Sequence, residues 1–226
     1  MAQQPHGPTA ADLAAQKPEE FWEGLYRQRA QDRSAWASRV NPVLEEVASG
    51  LTPGAALDLG CGTGGDSLWL ARHDWKVTAV DISPTAVERV SALAHAENLD
   101  DLVTAECHDL GQTFPSGDFD LVSVQYLHTP YQLPRDAILR TAAEALRPGG
   151  RLLVVDHGSI APWSWNQDPD THFATPRETY AALALPASDW AVERAEAPQR
   201  EATGPGGRTA TVTDHVLLVR RGPTVG

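Results

Sequence analysis

The stretch Leu57-Asp58-Leu59-Gly60-Cys61-Gly62-Thr63-Gly64-Gly65 decides the fold, because it is a short apolar strand that runs directly into a glycine-rich loop. Glycines allow a tight turn out of the strand and let a ligand approach the bare backbone. The following segment, Asp66 to His73, is predicted to be a helix, whose free N–H groups would face that ligand. The next strand ends at Asp81, 21 positions after Gly60. At this spacing a carboxylate reaches a ribose diol, so the segment predicts a nucleotide-type ligand.

Strands and helices alternate outward from this loop. Short apolar runs predict strands at Ala55 to Leu59, Lys76 to Asp81, Leu102 to Glu106, Phe119 to Leu127 and Arg151 to Asp156. Helical patterns follow Ser83-Pro84 and Pro134. Two strand-like stretches, Trp190 to Ala197 and Thr209 to Arg220, flank the turn Gly204-Pro205-Gly206-Gly207. This order predicts one α/β domain with a mostly parallel sheet and a final hairpin.

The N-terminal part differs from the rest. Residues 1–18 lack apolar periodicity and are interpreted as a flexible tail. Residues 19–226 are interpreted as a single domain that begins with helices over about residues 19–50. Phe21, Trp22, Leu25 and Tyr26 fall on one helical face, and Asn41-Pro42 is typical of a helix start. Since the sheet is complete without this part, we expect it to act as a lid.

Charge and composition exclude several classes of function. The 226 residues include 30 acidic and 18 basic ones, a net charge of −12, which disfavours nucleic acid and anionic lipid as partners. The lysines, Lys17 and Lys76, do not form a phosphate-binding Gly-Lys-Ser/Thr step. Cys61 and Cys107 do not form a zinc motif, and we expect no metal. No membrane span or signal peptide is evident, so a cytoplasmic location is expected.

Three motifs resemble those of class I S-adenosylmethionine-dependent methyltransferases: Leu57 to Gly64, Val80-Asp81-Ile82-Ser83 and Leu146-Arg147-Pro148-Gly149-Gly150-Arg151-Leu152. The resemblance covers about residues 20 to 220. It implies a Rossmann-like fold, with a seven-stranded, mostly parallel sheet, a C-terminal antiparallel hairpin and helices on both faces. The opening Phe21-Trp22-Glu23-Gly24-Leu25-Tyr26, with Trp36, resembles the lid of the tellurite-resistance and thiopurine-type subgroup.

The resemblance also implies roles for individual residues toward the cofactor, S-adenosylmethionine. Gly60, Gly62 and Gly64 would surround its methionine part, and Gln125 would lie by the sulfonium. Asp81 would bind the ribose hydroxyls, Ile82 would pack on the adenine, and Asp109 and Leu110 would recognise the adenine edge. Tyr26 and Trp36 would close over the cofactor. From its position alone, Asp58 suits a ligand with a positive amino group, or it caps the glycine loop.

The reaction implied is methyl transfer to a small-molecule acceptor. The lid-like N-terminus, by its resemblance to the thiopurine-type subgroup, favours a soft nucleophile, a thiol or another chalcogen, whose anion forms near neutral pH without a base. An oxygen or nitrogen acceptor would need one, for which His128 is the candidate catalytic residue and His157 a second. Because Gly60, Gly62 and Gly65 also fit G-x-G-x-x-G, an NAD(P)-dependent oxidoreductase stays open, as does a binding protein without catalysis.

Overall fold

A central sheet organises the computed structural model, which describes residues 15–30, 39–164 and 166–223. Its strands are β1 (Ala55–Leu59), β2 (Lys76–Asp81), β3 (Val103–Cys107), β4 (Phe119–Gln125), β5 (Leu146–His157), β6 (Trp190–Glu196), β7 (Gln199–Thr203) and β8 (Thr209–Arg221). Their order is β3-β2-β1-β4-β5-β8-β6, with β7 paired to β8. Strands β1 to β5 run parallel, and β8 is antiparallel to β5, β6 and β7. The α/β fold class is confirmed.

The described sheet has eight strands, whereas seven were expected. The additional strand, β7, arises because Pro198 cannot donate a backbone hydrogen bond and interrupts the ladder that begins with β6. Both short strands then pair with the 13-residue β8, through Glu196 opposite Val216 and Gln199 opposite Thr213. Strand β7 and the first part of β8 form a hairpin that ends where Gln199 pairs with Thr213. The next residue of β8, Asp214, lies opposite His157 at the end of β5.

Six helices are described: α1 (Pro18–Ala30), α2 (Pro42–Ser49), α3 (Gly65–Arg72), α4 (Pro84–Ala96), α5 (Arg135–Glu144) and α6 (Pro176–Leu183). The predicted helix starts have their physical basis in capping. The side chain of Asn41 accepts from Val43 N, and that of Ser83 accepts from Ala86 N. Thr175 begins a capping box before α6. None of the described helices has the length and apolar character needed to cross a bilayer.

Apolar side chains cover both faces of the sheet. On one face the core includes Leu44 and Trp75, and on the other it includes Leu139 and Leu183. Helix α1 contributes to neither of these cores but packs through Tyr26 in a small separate cluster with Ala86 and Trp22. Because β1, β2, β4 and β5 are parallel, their carboxyl ends lie at one edge, and α1 packs beside this edge.

Candidate active site

A cavity of about 440 Å³ opens at the carboxyl edge of the sheet. Its wall brings together eight of the predicted site residues, namely Tyr26, Gly60, Asp81, Ile82, Asp109, Leu110, Gln125 and His128. Asp58, Gly62 and Gly64 lie in or beside the glycine loop rather than on the described wall. Trp36 lies outside the described residues, as do residues 1–14 of the expected tail.

The glycine loop has the conformation that its sequence predicts. Gly62 and Gly64 have φ angles of 52° and 85°, in the left-handed region where a Cβ is unfavourable. A Cβ on Gly62 would also lie 3.0 Å from the hydroxyl of Tyr26, and one on Gly64 would lie 2.9 Å from a methyl of Val90. These two glycines therefore serve the close packing of the loop against helices α1 and α4.

Asp81 joins the loop to the end of β2. Its Oδ2 accepts from Gly62 N at 3.0 Å, and its Oδ1 accepts from Ser83 N at 3.0 Å. Burial raises the pKa of this carboxyl, and the bonds from Ser83 and Gly62 act in the opposite direction. The side chain is thus fixed in orientation on the cavity wall, as a carboxylate that binds a diol must be.

Asp58 faces the start of helix α3. It is buried, and its Oδ2 accepts from Ser67 Oγ at 2.5 Å. Burial raises its pKa, and the neighbouring Asp66 raises it further. Asp66 itself accepts from Asn41 N at 2.6 Å. The hydrogen bond to Ser67 joins Asp58 to the first turn of helix α3 rather than to the glycine loop, and both sequence interpretations of Asp58 stay predictions.

Helix α1 is attached to the first turn of α4 by Glu23. The carboxylate of Glu23 accepts from Ser83 Oγ at 2.6 Å, from Thr85 N at 3.1 Å and from Thr85 Oγ1 at 2.7 Å. Desolvation acts to raise the pKa of Glu23, but these hydrogen bonds outweigh it and lower the pKa to about 2. A carboxylate at a helix N-terminus is also favoured by the helix dipole. Glu23 had no role among the residues expected from the sequence, although an acid within the lid motif was an available signal.

Aromatic residues of α1 reach the loop after β4. Trp22 Nε1 donates to Thr129 Oγ1 at 3.3 Å, and the rings of Phe21 and Tyr131 meet edge to face at 5.7 Å. Helix α1 therefore contacts both sides of the cavity, through Glu23 on the β2 side and through Phe21 and Trp22 on the β4 side.

On the β4 and β5 side, His128 forms a pair with a carboxylate. Its Nε2 lies 3.3 Å from Oδ1 of Asp156, whose two oxygens also accept from Arg135 Nη2 at 2.8 and 2.6 Å. Burial acts to raise the pKa of Asp156, yet the hydrogen bond with His128 and the charge of Arg135 keep it below its ordinary value. The sequence alone did not identify Asp156 as the partner of His128, although an acid at the carboxyl end of β5 was a signal for that role.

The described cavity wall fits S-adenosylmethionine better than a dinucleotide. It carries carboxylates at Asp81 and Asp109, whose negative charge would repel a pyrophosphate and attract a cationic sulfonium. Within the described chain, the buried Oε1 of Gln125 has no hydrogen-bond partner, so it is free to accept from a donor such as an ammonium group. Gly65, the last glycine of the G-x-G-x-x-G pattern, has a packing role, because a Cβ there would lie 2.4 Å from the backbone oxygen of Arg39.

The strand order, the glycine loop after β1 and the acid at the end of β2 define the class I, Rossmann-like methyltransferase fold. Residues 56–150 match the family model described as "Methyltransferase domain". Residues 56–150 therefore carry a methyltransferase domain, and this match, with the relatives below, supports the expected resemblance to class I S-adenosylmethionine-dependent methyltransferases and implies S-adenosylmethionine as the cofactor.

Curated relatives match over part of their length. A 27-O-demethylrifamycin SV methyltransferase of Amycolatopsis mediterranei is 33% identical over 153 residues, which are 64% of this chain and 56% of that protein. A ubiquinone biosynthesis O-methyltransferase of Xanthomonas axonopodis is 37% identical over 122 residues, 51% of this chain and 49% of that protein. A ribosomal RNA small subunit methyltransferase C of Alcanivorax borkumensis is 33% identical over 133 residues, 56% of this chain and 39% of that protein. The chain thus spans about half or less of these relatives.

Solved structures match over most of the chain. One, described as "Conversion of a Disulfide Bond into a Thioacetal Group during Echinomycin Biosynthesis", has a TM-score of 0.70 and 26% identity, and the match covers 91% of this chain and 94% of that one. TehB from Haemophilus influenzae has a TM-score of 0.64 and 20% identity, with 88% and 66% covered. At that identity the likeness to TehB concerns the fold alone.

Proposed function

We propose that this chain transfers the methyl group of S-adenosylmethionine to a hydroxyl or amine of a small-molecule acceptor, with His128 as the general base. The observation that carries the proposal is the 3.3 Å contact between His128 and Asp156 on the wall of the cavity. One of the relatives described above is an O-methyltransferase by name, and another is named for an O-demethylated compound, which supports an oxygen acceptor.

The contact between His128 and Asp156 explains how a hydroxyl or amine acceptor would lose its proton. If neutral His128 carries its proton on Nε2, the nitrogen that faces Asp156, then Nδ1 has the free lone pair and can accept a proton. Asp156 then stabilises the imidazolium that forms, and Arg135 keeps Asp156 ionised and fixed. The His128 side chain is 44% exposed, so an acceptor can reach it.

The cofactor-side residues keep the roles that the resemblance implies. S-adenosylmethionine supplies a methyl group on a sulfonium, already activated for displacement. Asp81 would accept from the ribose hydroxyls, Ile82 and Leu110 would enclose the adenine, and Asp109 would accept from its amino group. Gly60, Gly62 and Gly64 would surround the methionine part, and Gln125, with its free Oε1, would lie by the sulfonium. What remains for the chain is to align acceptor and methyl and to exclude water, with α1 as the cover.

A sulfur acceptor is the second candidate. It is favoured by the solved structure whose description names the conversion of a disulfide bond into a thioacetal group. A thiol with a pKa near 8.5 forms its own nucleophilic anion, so His128 would only position it. RNA is the least supported acceptor, although one relative acts on ribosomal RNA by name. The net charge of −12 opposes the binding of a polyanion.

The test compares a phenol and the thiophenol of the same skeleton as acceptors, for wild type and for His128→Gln. For the phenol we expect turnover to fall about 10²–10⁴-fold in the variant, the usual contribution of a general base. His95→Gln, on the exposed surface of α4, is the matched control. Phenol turnover that is equal in His128→Gln and wild type would overturn the base. Turnover of the thiophenol alone would establish the sulfur candidate.

A further inference from the structure

His157, the last residue of β5, is part of a stack of three rings. Its centroid lies 4.5 Å from that of Tyr126 with an interplanar angle of 22°, and 5.5 Å from that of His128 with an angle of 17°. Tyr126 and His128 both lie on the cavity wall, whereas His157 is not part of it. The stack therefore connects two wall residues through a ring that lies outside the wall and is exposed to solvent.

Ion pairs fix both ends of this stack. At the His128 end, Asp156 is held by Arg135. At the other end, Arg200 Nη2 donates to the hydroxyl of Tyr126 at 3.1 Å, and Arg200 Nε donates to Asp214 at 2.5 Å.

Tyr126 has a φ of 51°, a conformation that a bulky residue adopts only where its surroundings determine it. Asp214 is the residue of β8 that pairs with His157. Tyr126 is therefore a fixed surface against which the ring of His157 can rest.

The surroundings of His157 disfavour its protonated form, chiefly through desolvation. Desolvation lowers the pKa of His157, and the charge of His128 lowers it further, while Asp214 and Asp156 raise it and Arg200 lowers it. Two stacked imidazoles do not both carry a proton readily, because like charges repel at this distance. When His128 takes up a proton, His157 can therefore stay in place as a neutral stacking partner.

We infer that His157 is a positioning residue, whose ring, resting on Tyr126, holds His128 in its contact with Asp156. This inference rests on the proposed function in one respect, since it gives the orientation of His128 a role in turnover. It does not require His157 to touch acceptor or cofactor. A flat side chain of another type at this position should therefore serve, and a small one should not.

The first measurement needs no turnover. Imidazole ¹⁵N shifts report which nitrogen of neutral His128 carries the proton, and wild type should show the Nε2–H form that Asp156 selects. His157→Phe keeps a ring in the stack and should preserve this form. His157→Ala should give a mixture of the two forms. An unchanged tautomer in His157→Ala would overturn the inference, even if His128 proved to be the base.

The second measurement follows kcat with the phenol acceptor. We expect His157→Ala to lower kcat about 10- to 100-fold with little change in KM, a loss typical of a misplaced catalytic group. His157→Phe should stay within about threefold of wild type by the same reasoning. In a double-mutant cycle, His157→Ala should cost little once Asp156→Asn is present, because both act on His128. Additive losses, or equal losses in the Phe and Ala variants, would overturn the inference.

S-adenosylhomocysteine affinity, measured by calorimetry, serves as the check on folding. It should be unchanged in both variants, because neither touches the cofactor side. If His157→Ala fails to bind, His157→Asn takes its place as the variant without a ring. A phenol that neither wild type nor variant methylates would count against the proposed function and leave the ¹⁵N result to decide the inference.

Discussion

The two sides of the cavity are built in different ways. The cofactor side consists of the glycine loop and the end of β2, which lie within 25 residues of one another and are held by backbone hydrogen bonds to Asp81. The proposed acceptor side consists of side chains from the loop after β4, from β5, from α5 and from the β7–β8 hairpin, joined through ion pairs. In the proposed function, backbone geometry would therefore specify the cofactor, and side chains collected from distant positions would specify the chemistry.

Replacing Asp156 should affect only the acceptor side and should have the largest effect. Asp156→Asn can turn its amide toward His128, so that Nδ1 would carry the proton and lose its role as a base. We expect kcat with a phenol acceptor to fall about 10²–10⁴-fold. Asp168→Asn, at an exposed acid in the loop after β5, is the control. S-adenosylhomocysteine affinity that fell in parallel with kcat would show that the two sides are not separate.

Replacing Asp81 should affect only the cofactor side. If its carboxylate accepts from both ribose hydroxyls, Asp81→Ala should weaken S-adenosylhomocysteine by about 1.5–3 kcal/mol, the range for hydrogen bonds to a charged group. Calorimetry measures this directly, and Asp100→Asn at the exposed surface is the control. An affinity equal to that of wild type would remove Asp81 from the site. Asp81→Asn should lie between the two, because it keeps one acceptor oxygen.

Replacing Glu23 should have the smallest effect, since it loosens the cover that both sides share. Glu23→Gln should make trypsin cleave at Arg27 and Arg29 roughly 3–10-fold faster without cofactor, because weaker hydrogen bonds hold α1 to α4. Glu19→Gln, exposed on the same helix, is the control. Cleavage of both variants at the wild-type rate would show that Glu23 does not hold the cover.

The docking of α1 should also depend on pH in a defined direction. The pKa of Glu23 is lowered from 4.5 to about 2, so its contribution is complete above pH 4.5 and is lost as the pH falls through about 2. The fluorescence difference between wild type and Trp22→Phe reports this docking. It should be constant between about pH 5 and 8 and should change only in acid. A transition near neutrality would assign the docking to a different group.

The contrast between the two sides also explains what the sequence could predict. The glycine loop, Asp81 and the alternation of strands are local patterns, and each follows from propensity and spacing. The contacts of Glu23 with Ser83 and Thr85 span about 60 positions, and that of His128 with Asp156 spans 28. No local pattern encodes such distances, because they arise when the sheet brings strand ends together. The additional strand β7 was missed for a different reason: it pairs locally with the start of β8, but its sequence, Gln199 to Thr203, lacks the apolar residues that mark a strand.

The described cavity wall, with Asp81 and Asp109 and without lysine or arginine, has a consequence for the catalytic cycle. S-adenosylmethionine carries a positive sulfonium, and the spent cofactor is a neutral thioether. Carboxylates without compensating cations attract the positive S-adenosylmethionine more strongly than the neutral spent cofactor. The difference is the interaction energy of one positive charge with these carboxylates. The lining that retains the methyl donor therefore loosens its hold once the methyl has left, and added salt should weaken that distinction.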